Sequence, residues 1–190
     1  MRIRNLLIGS IICMPLLGIA DAARPRLKTA ASTESAAGPE MDRLAKAFAG
    51  DWNTEEHMER TKFFPNGGER RGQSHVRLIA GGTTLINEVQ SDGSAGKLDG
   101  MVVIWWDKGA QLYRFFTCFK GSGNPCGLRG TAHWEADTFV NDFEETVDGK
   151  SLKVGDRFFD ITPSSRTLTM AIDNGDGTMQ TLVTTRSTRR

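Results

Sequence analysis

The sequence has few of the side chains that carry most metal and nucleophile chemistry, since its 190 residues include only three histidines and three cysteines. His57, His75 and His133 fall on three different predicted strands, without cysteine or carboxylate at the spacing of a metal site. The chain also lacks a nucleophile elbow, a phosphate-binding loop, a zinc signature and a Cys-x-x-Cys-His haem motif. We therefore predict no metal and no cofactor, and the absences favour a binding protein over an enzyme.

An excess of charge of one sign is also missing, because 24 Lys and Arg residues stand against 23 Asp and Glu residues. Residues 1–22 have the form of a secretory signal peptide: Arg2 and Arg4 precede an apolar run over residues 6–19 that ends in Ala20-Asp21-Ala22. We therefore predict an exported protein, periplasmic or extracellular. An uncleaved membrane anchor is the alternative, but the run is short and interrupted by glycine and proline.

Removal of residues 1–22 leaves 22 basic and 22 acidic side chains, so the mature chain has no formal net charge. Binding to nucleic acid or to an anionic membrane then has no electrostatic basis, and we predict neither. We also expect no integral membrane span after processing. The remaining length suits one domain with a hydrophobic core.

Cysteine is scarce in the mature chain, where Cys118 and Cys126 remain once Cys13 leaves with the signal peptide. An even pair in an exported protein predicts a disulfide. For a loop this short the bond contributes about 2.5 kcal/mol to stability. Two reduced thiols are the alternative.

Large apolar residues are almost absent from residues 23–40, whose abundant Ala, Ser, Thr and Pro predict a disordered tether. Pro39 then opens a short helix in which Met41, Leu44 and Phe48 recur at helical spacing, and Gly50 ends it. We expect this helix to cap one end of a sheet structure.

The chain after Asp51 consists of about ten short segments separated by turns rich in Gly, Asn and Asp. The predicted strands cover residues 52–64, 69–80, 83–91, 98–106, 111–119, 127–134, 139–146, 151–161, 166–172 and 178–185. Connections this short join antiparallel neighbours, and a long meander removes its edges most simply by closing into an up-and-down barrel. A two-sheet sandwich is the alternative, although it usually has longer connections. We predict one all-β domain over residues 41–190.

Phe48-Ala49-Gly50-Asp51-Trp52 joins a helix to a Gly-x-Trp strand, and Leu182-Val183-Thr184-Thr185-Arg186 forms the last apolar segment. These two ends resemble those of the calycins, which include the lipocalins and fatty-acid-binding proteins. Between them lie Gly81-Gly82-Thr83-Thr84-Leu85 and Lys97-Leu98-Asp99-Gly100. These segments are similar to a family of small exported bacterial proteins of unknown function, predicted to be calycin-like. The resemblance implies a barrel with a cavity for a small, mostly apolar ligand. It also implies that Gly50, Trp52 and Arg186 close the barrel, with the arginine packed near the tryptophan.

Aromatic residues are concentrated in the predicted fourth and fifth strands, where apolar side chains occupy both faces. The candidates to line the cavity are Trp105, Trp106, Tyr113, Phe115, Phe116, Trp134, Phe143, Phe158 and Met170. Alternation alone does not say which member of an adjacent pair points inward. A solid aromatic core is the alternative to a cavity. Outward aromatics on this hairpin would favour a homodimer.

Six carboxylates on the predicted strands could act as an acid or a base if they point inward, namely Glu56, Glu88, Asp142, Glu144, Glu145 and Asp156. Outward, solvated carboxylates are the ordinary arrangement on alternating strands. Residues 173–178 have the composition of a calcium loop but lack its closing glutamate, and they predict a hairpin turn.

Taken together, these patterns predict a protein that binds a small hydrophobic or amphipathic molecule inside a barrel, without chemistry. One alternative is a solid barrel that docks a protein through an outer aromatic face. A second is an enzyme that uses inward carboxylates or histidine.

Overall fold

The structure, a computed structural model, describes residues 37–120, 125–147 and 149–190. Over these residues the chain forms an α-helix, a short 3-10 turn at Ala80–Gly82 and ten strands. In chain order the main elements are α1 (Gly38–Phe48), β1 (Gly50–Met58), β2 (Gly68–Ile79), β3 (Thr84–Gly93), β4 (Leu98–Asp107), β5 (Leu112–Phe119), β6 (Arg129–Glu135), β7 (Thr138–Val147), β8 (Lys150–Phe159), β9 (Ser165–Asp173) and β10 (Met179–Arg189). The predicted signal peptide and most of the predicted tether lie outside the described residues.

The ten strands form a closed antiparallel barrel in which each strand pairs with its neighbours in the chain and β1 also pairs with β10. This confirms the predicted up-and-down barrel, and the sandwich alternative is wrong. Closure satisfies the backbone groups that a meander would expose at its two edges.

Helix α1 covers one end of the barrel. Its buried residues Met41, Leu44 and Phe48 pack against inward side chains of the strands, including Trp52 and Tyr113. The Tyr113 hydroxyl also donates a hydrogen bond of 2.7 Å to the carbonyl oxygen of Glu40. Since α1 begins at Gly38, residues 38–40 belong to the helix and not to the predicted tether. Among the described residues, no helix is long and apolar enough to cross a membrane.

The segment after β1 covers the opposite end of the barrel. The predicted first strand, residues 52–64, was expected to include Phe63 and Phe64, but β1 ends at Met58. The hydroxyl of Thr61 accepts hydrogen bonds from the backbone N–H groups of Phe63 and Phe64, and this local turn replaces the sheet ladder. Both phenyl rings then pack against the apolar cluster that contains Met58.

Strand β10 contains an irregularity that sets the direction of the side chains after it. Thr181 pairs with Ala171 and Val183 with Met170, so Leu182 is an extra residue in this ladder. Leu182 and Val183 are both buried. Beyond this bulge the inward face is that of Val183, Thr185 and Ser187.

Candidate functional site

Alternate residues of the strands point into the barrel, and they form two apolar layers with polar side chains between them. On β1, Thr54 and Glu56 lie between Trp52 and Met58, and all four are buried. Because neighbouring strands continue this register, the polar residues meet around the lumen at mid-height. We call them the polar belt: Thr54, Glu56, Arg70, Ser74, Asn87, Ser91, Thr117, Asn141, Asp156 and Thr185.

A buried ion pair forms one side of the polar belt. Nε and Nη2 of Arg70 donate to Glu56 Oε2 over 2.9 and 2.5 Å, and the Ser91 hydroxyl donates to Glu56 Oε1 over 3.0 Å. The side chains of Arg70 and Glu56 are only 11% and 6% exposed. Beside them, Ser74 Oγ donates to Asn87 Oδ1. These contacts give each buried charge a partner of opposite sign.

The other side of the polar belt carries a carboxyl group without a cation. Asn141 Nδ2 donates to Asp156 Oδ2 over 3.3 Å, and the two residues are cross-strand partners on β7 and β8. Burial is the main cause that raises the pKa of Asp156 to about 7, and the charge of Asp142 adds to the effect. Near neutral pH this carboxyl is therefore divided between its neutral and charged forms.

Three buried oxygen atoms of the polar belt have no hydrogen-bond partner among the residues that the structure describes. They are Thr54 Oγ1, Asn141 Oδ1 and Asp156 Oδ1. A buried polar atom without a partner costs about 1 to 3 kcal/mol, so most proteins contain few of them. Here they belong to side chains that face the lumen, where a bound molecule could supply the missing donors.

Rings line the lumen between the polar belt and α1. Phe139 is 1% exposed and contacts four other rings, with centroid distances of 5.3 Å to Phe48, 5.4 Å to Tyr113, 5.0 Å to Trp134 and 6.3 Å to Phe158. Phe139 and Phe48 were not among the predicted lumen residues. Phe139 could have been found, because it shares the inward face of β7 with Asn141 and Phe143.

The register separates the predicted cavity residues by face. Those that point inward are Trp106, Tyr113, Phe115, Trp134, Phe143, Phe158 and Met170. Trp105 and Phe116 do not line the lumen, and their selection as cavity candidates is wrong. On the outer face of β4 and β5, Trp105 pairs with Arg114 and Phe116 pairs with Val103. The centroids of the Trp105 and Phe116 rings are 6.3 Å apart.

A cleft at the edge of α1 leads to the inward rings. It has a volume of about 390 Å³, and its walls include Glu40, Arg43, Trp106, Tyr113 and Trp134. The Arg43 guanidinium lies 4.1 Å from the centroid of the Trp134 ring and donates to the Ala136 carbonyl oxygen over 2.5 Å. These contacts hold α1 against the barrel beside an opening lined by aromatic side chains.

Two arginines stack on Trp52 at the helix-covered end, but neither is the predicted Arg186. Arg166 and Arg189 lie 4.1 and 4.4 Å from the Trp52 ring centroid. Arg186 pairs with Glu55 on the outer face and is exposed, because the bulge at Leu182 changes which residues of β10 point inward. The assignment of Arg186 to barrel closure is therefore wrong.

Gly50 also has a structural role at this end. Its φ of +132° is rarely adopted by residues with side chains, and a Cβ atom there would overlap the Arg189 guanidinium. Arg166, which is 5% exposed, shares the Phe48 carbonyl oxygen with the Trp52 indole N–H. Burial and repulsion from Arg189 lower the pKa of Arg166 to about 9.

A larger cleft of about 590 Å³ lies mainly on the outer face of β1 to β5. Its polar walls include Asp51, His75, Glu88 and Arg190, and His75 is hydrogen-bonded to Asp51. Because these side chains are exposed, the outer cleft is a solvent-exposed surface groove.

The three histidines lie on the outer face and contact carboxylates. His57 contacts Glu69 at 2.5 Å, His75 contacts Asp51, and His133 lies 3.2 Å from Glu135. Across the described part of the chain, no group of three or more His, Cys, Asp or Glu side chains is arranged to hold a metal ion. The three histidine side chains are 52%, 51% and 45% exposed, and each is paired with a carboxylate at the surface.

Two of the six predicted carboxylates are in the polar belt, Glu56 and Asp156. Glu88, Asp142 and Glu144 are outward and exposed. Glu145 shares a face with inward residues but is exposed near the rim.

In the turn after β9, the Asp173 side chain accepts hydrogen bonds from the N–H groups of Gly175 and Gly177, which confirms a hairpin turn.

Cys118 and Cys126 form a disulfide, as predicted. The bond ties the end of β5 to the segment that leads into β6. The Phe119 N–H also donates to the Pro125 carbonyl oxygen at 2.7 Å, so the two segments are joined by the backbone as well.

Comparison with known proteins shows the fold and no family. No family model matches the sequence, and no curated protein matches it. Among solved structures, the chain is similar to the S-type phycobiliprotein lyase CPES from Guillardia theta, with a TM-score of 0.55 and 12% identity over 78% of this chain and 92% of that one. It is also similar to Rv2717c from M. tuberculosis, with a TM-score of 0.53 and 12% identity over 80% of this chain and 98% of that one. At this level of identity the likeness shows the fold alone.

Proposed function

We propose that this protein binds a small amphipathic molecule in the lumen of the barrel and that residues 1–22 direct its export. The partly apolar, partly polar lining of the lumen supports an amphipathic ligand, since rings surround the apolar part and the polar belt meets the polar part. The cleft beside α1 supports binding at this end of the barrel, because its walls include the inward rings Trp106, Tyr113 and Trp134.

The observation that carries this proposal is the set of unpaired oxygens in the polar belt. A barrel that served only as a rigid support would be more stable with apolar groups at Thr54, Asn141 and Asp156 than with buried oxygens that lack donors. A ligand that donates hydrogen bonds to these atoms accounts for their presence in the lumen.

The similar fold of CPES, which is named a phycobiliprotein lyase, shows only that the same barrel architecture occurs in a protein with a different sequence. The proposal therefore rests on the lumen of this chain. No catalytic step is part of it.

Binding of N-phenyl-1-naphthylamine, a neutral probe that fluoresces in apolar sites, tests the proposal. We expect saturable binding of one probe per chain. Trp106→Ala should weaken binding several-fold because Trp106 lines the cleft beside α1, and Trp105→Ala should leave it unchanged because that ring is on the outer face. Absence of saturable binding, or equal effects of the two substitutions, would overturn the proposal.

Export is tested separately by expression of the complete sequence in a bacterial host. We expect the protein in the periplasmic or extracellular fraction, with a mass that lacks residues 1–22. A cytoplasmic protein of full-length mass would contradict export without affecting the binding proposal.

A second candidate is a homodimer through the outer face of β4 and β5, which the outward position of the Trp105 and Phe116 rings favours. Arg129 lies 5.6 Å from the Phe116 ring centroid and borders this surface. Light scattering at high protein concentration should then give twice the monomer mass, and Trp105→Ser should restore the monomer. A monomer at all concentrations contradicts the dimer.

A further inference from the structure

The carboxyl group of Asp156 lies on the inward face of β8 at mid-height of the lumen. On β8 it lies between the inward residues Val154 and Phe158, and its cross-strand partners are Asn141 and Met170. Residues two apart on a strand share a face, so Val154 and Phe158 are the nearest inward side chains on the same strand. A molecule that reached this carboxyl group would therefore need a large apolar part.

Asn141 and Asp156 are hydrogen-bonded to each other, and each of them keeps one oxygen atom without a donor among the described residues. Asn141 Nδ2 donates to Asp156 Oδ2. Asn141 Oδ1 and Asp156 Oδ1 are buried and have no partner within the described ranges, and Asn141 itself is only 4% exposed. The position therefore suits a ligand group that carries at least two N–H or O–H donors.

The charges around Asp156 favour a cationic donor over a neutral one. Strands β7 and β9 pair with β8 and place Asn141, Asp142 and Met170 next to it, and of these Asp142 is a further negative group. Arg70 is already paired with Glu56, and Arg166 lies at the helix-covered end against Trp52. An incoming cation would give the Asp156 carboxylate the partner that a buried charge needs.

Aromatic rings add to this preference. Phe143 and Phe158 lie on the same inward faces as Asn141 and Asp156, two residues away on β7 and β8. Ring faces attract ammonium groups, and this attraction is strongest away from water. A hydroxyl group would gain the hydrogen bonds but neither the ion pair nor the ring contact.

We propose that Asp156 and Asn141 recognise the ammonium head of an amphipathic amine, whose apolar part lies among Phe143, Phe158 and Met170. This inference rests on the proposed ligand-binding function and specifies the ligand class. The ammonium donates one hydrogen bond to Asp156 Oδ1 and one to Asn141 Oδ1.

Three probes of equal chain length test the inference: octylamine, 1-octanol and octanoate, each titrated against the bound naphthylamine probe at pH 8. We expect octylamine to displace the probe at a concentration at least about tenfold below that of octanol, with octanoate weakest. Asp156→Asn should remove the preference for the amine, yet it should still bind the naphthylamine probe. Asp142→Asn removes the same charge from the outer face and should keep the preference.

The pH dependence of displacement gives a second measurement. Octylamine stays protonated between pH 5.5 and 8.5, whereas Asp156, with a pKa of about 7, changes from mostly neutral to mostly charged. Binding of octylamine should therefore strengthen by up to about thirtyfold over this range in the wild type and remain constant in Asp156→Asn.

The outcomes separate the two proposals. If the naphthylamine probe binds but the three octyl compounds displace it equally, or if Asp156→Asn keeps the amine preference, the inference is wrong and the binding function stands. If neither the probe nor any octyl compound binds the folded protein, the proposed function is wrong.

Discussion

The guanidinium group of Arg166 lies 4.1 Å from the centroid of the Trp52 ring and donates a hydrogen bond of 3.1 Å to the Phe48 carbonyl oxygen. This contact links the first residues of β9 to the end of α1 and the start of β1. Arg166 therefore connects three elements, α1, β1 and β9, at the helix-covered end of the barrel.

Replacement of Arg166 should destabilise the protein far more than replacement of Arg186. Arg166→Ala removes the stack on Trp52 and a donor to Phe48, and we expect the free energy of unfolding to fall by about 2 to 4 kcal/mol. Arg186→Ala removes an exposed side chain and should change it by less than about 0.5 kcal/mol. Urea unfolding measures both, and equal losses would contradict the role of Arg166.

The buried pair of Arg70 and Glu56 should be sensitive to loss of one partner. Arg70→Met leaves the Glu56 charge unpaired inside the barrel, and we expect a loss of about 3 to 5 kcal/mol. The double variant Glu56→Gln with Arg70→Met should recover part of that loss, because no buried charge remains.

The adjacent Arg71 provides the matched control for this pair. Its contact with Glu55 spans 3.4 Å at the surface, where the two side chains are 83% and 65% exposed. Arg71→Met should therefore cost less than about 1 kcal/mol. If denaturant unfolding gives similar losses for Arg70→Met and Arg71→Met, the Arg70 pair is not buried in solution.

Asp156 should make the protein less stable as the pH rises from about 4 to 7. The pKa of its carboxyl is raised to about 7 in the folded state, so over this range the folded protein holds a proton that the unfolded chain has released. The contribution of Asp156 to the free energy of unfolding therefore falls as the pH rises and is constant above about pH 7. Between about pH 4 and pH 7 the free energy of unfolding decreases by up to about 4 kcal/mol because of this group.

Asp156→Asn should abolish this part of the pH dependence and should be more stable than the wild type at pH 8. Unfolding midpoints measured at pH 5 and pH 8 check the prediction. Parallel changes with pH in the wild type and in Asp156→Asn would show that Asp156 does not titrate as described.

Loss of the disulfide should weaken the barrel without preventing its formation. The double variant Cys118→Ser with Cys126→Ser frees a loop of nine residues in the unfolded chain, which corresponds to a loss of about 2.5 kcal/mol. Thermal unfolding with and without a reducing agent measures the effect in the wild type. The double variant should show no response to the reducing agent.

The barrel was predictable from the sequence because each turn has its own local signal. Residues such as Asp173 and Gly175 mark hairpins through contacts within a few positions, and ten such segments left the closed meander as the favoured arrangement. The end of β1 was misplaced because the hydroxyl of Thr61 forms a turn that the apolar residues Phe63 and Phe64 conceal.

The direction of side chains was harder to predict, since it depends on register across strands. Trp105 and Trp106 are adjacent and both apolar, and only pairing with β5 shows which one points inward. Arg186 shares its parity with the buried Leu182, so plain alternation places it inside, whereas the bulge at that residue turns it outward. The pairing of Asp156 with Asn141 likewise depends on contacts between strands.

The pairing of β1 with β10 also has a consequence for the order of folding. Every other strand pair joins segments that are consecutive in the chain, whereas this pair brings Trp52 opposite Arg189. The entropy lost in closing so long a loop is recovered only when the rest of the meander has formed. We therefore expect the amide hydrogens between β1 and β10 to become protected last during refolding, so that the barrel passes through an open, curved sheet before it becomes a ring.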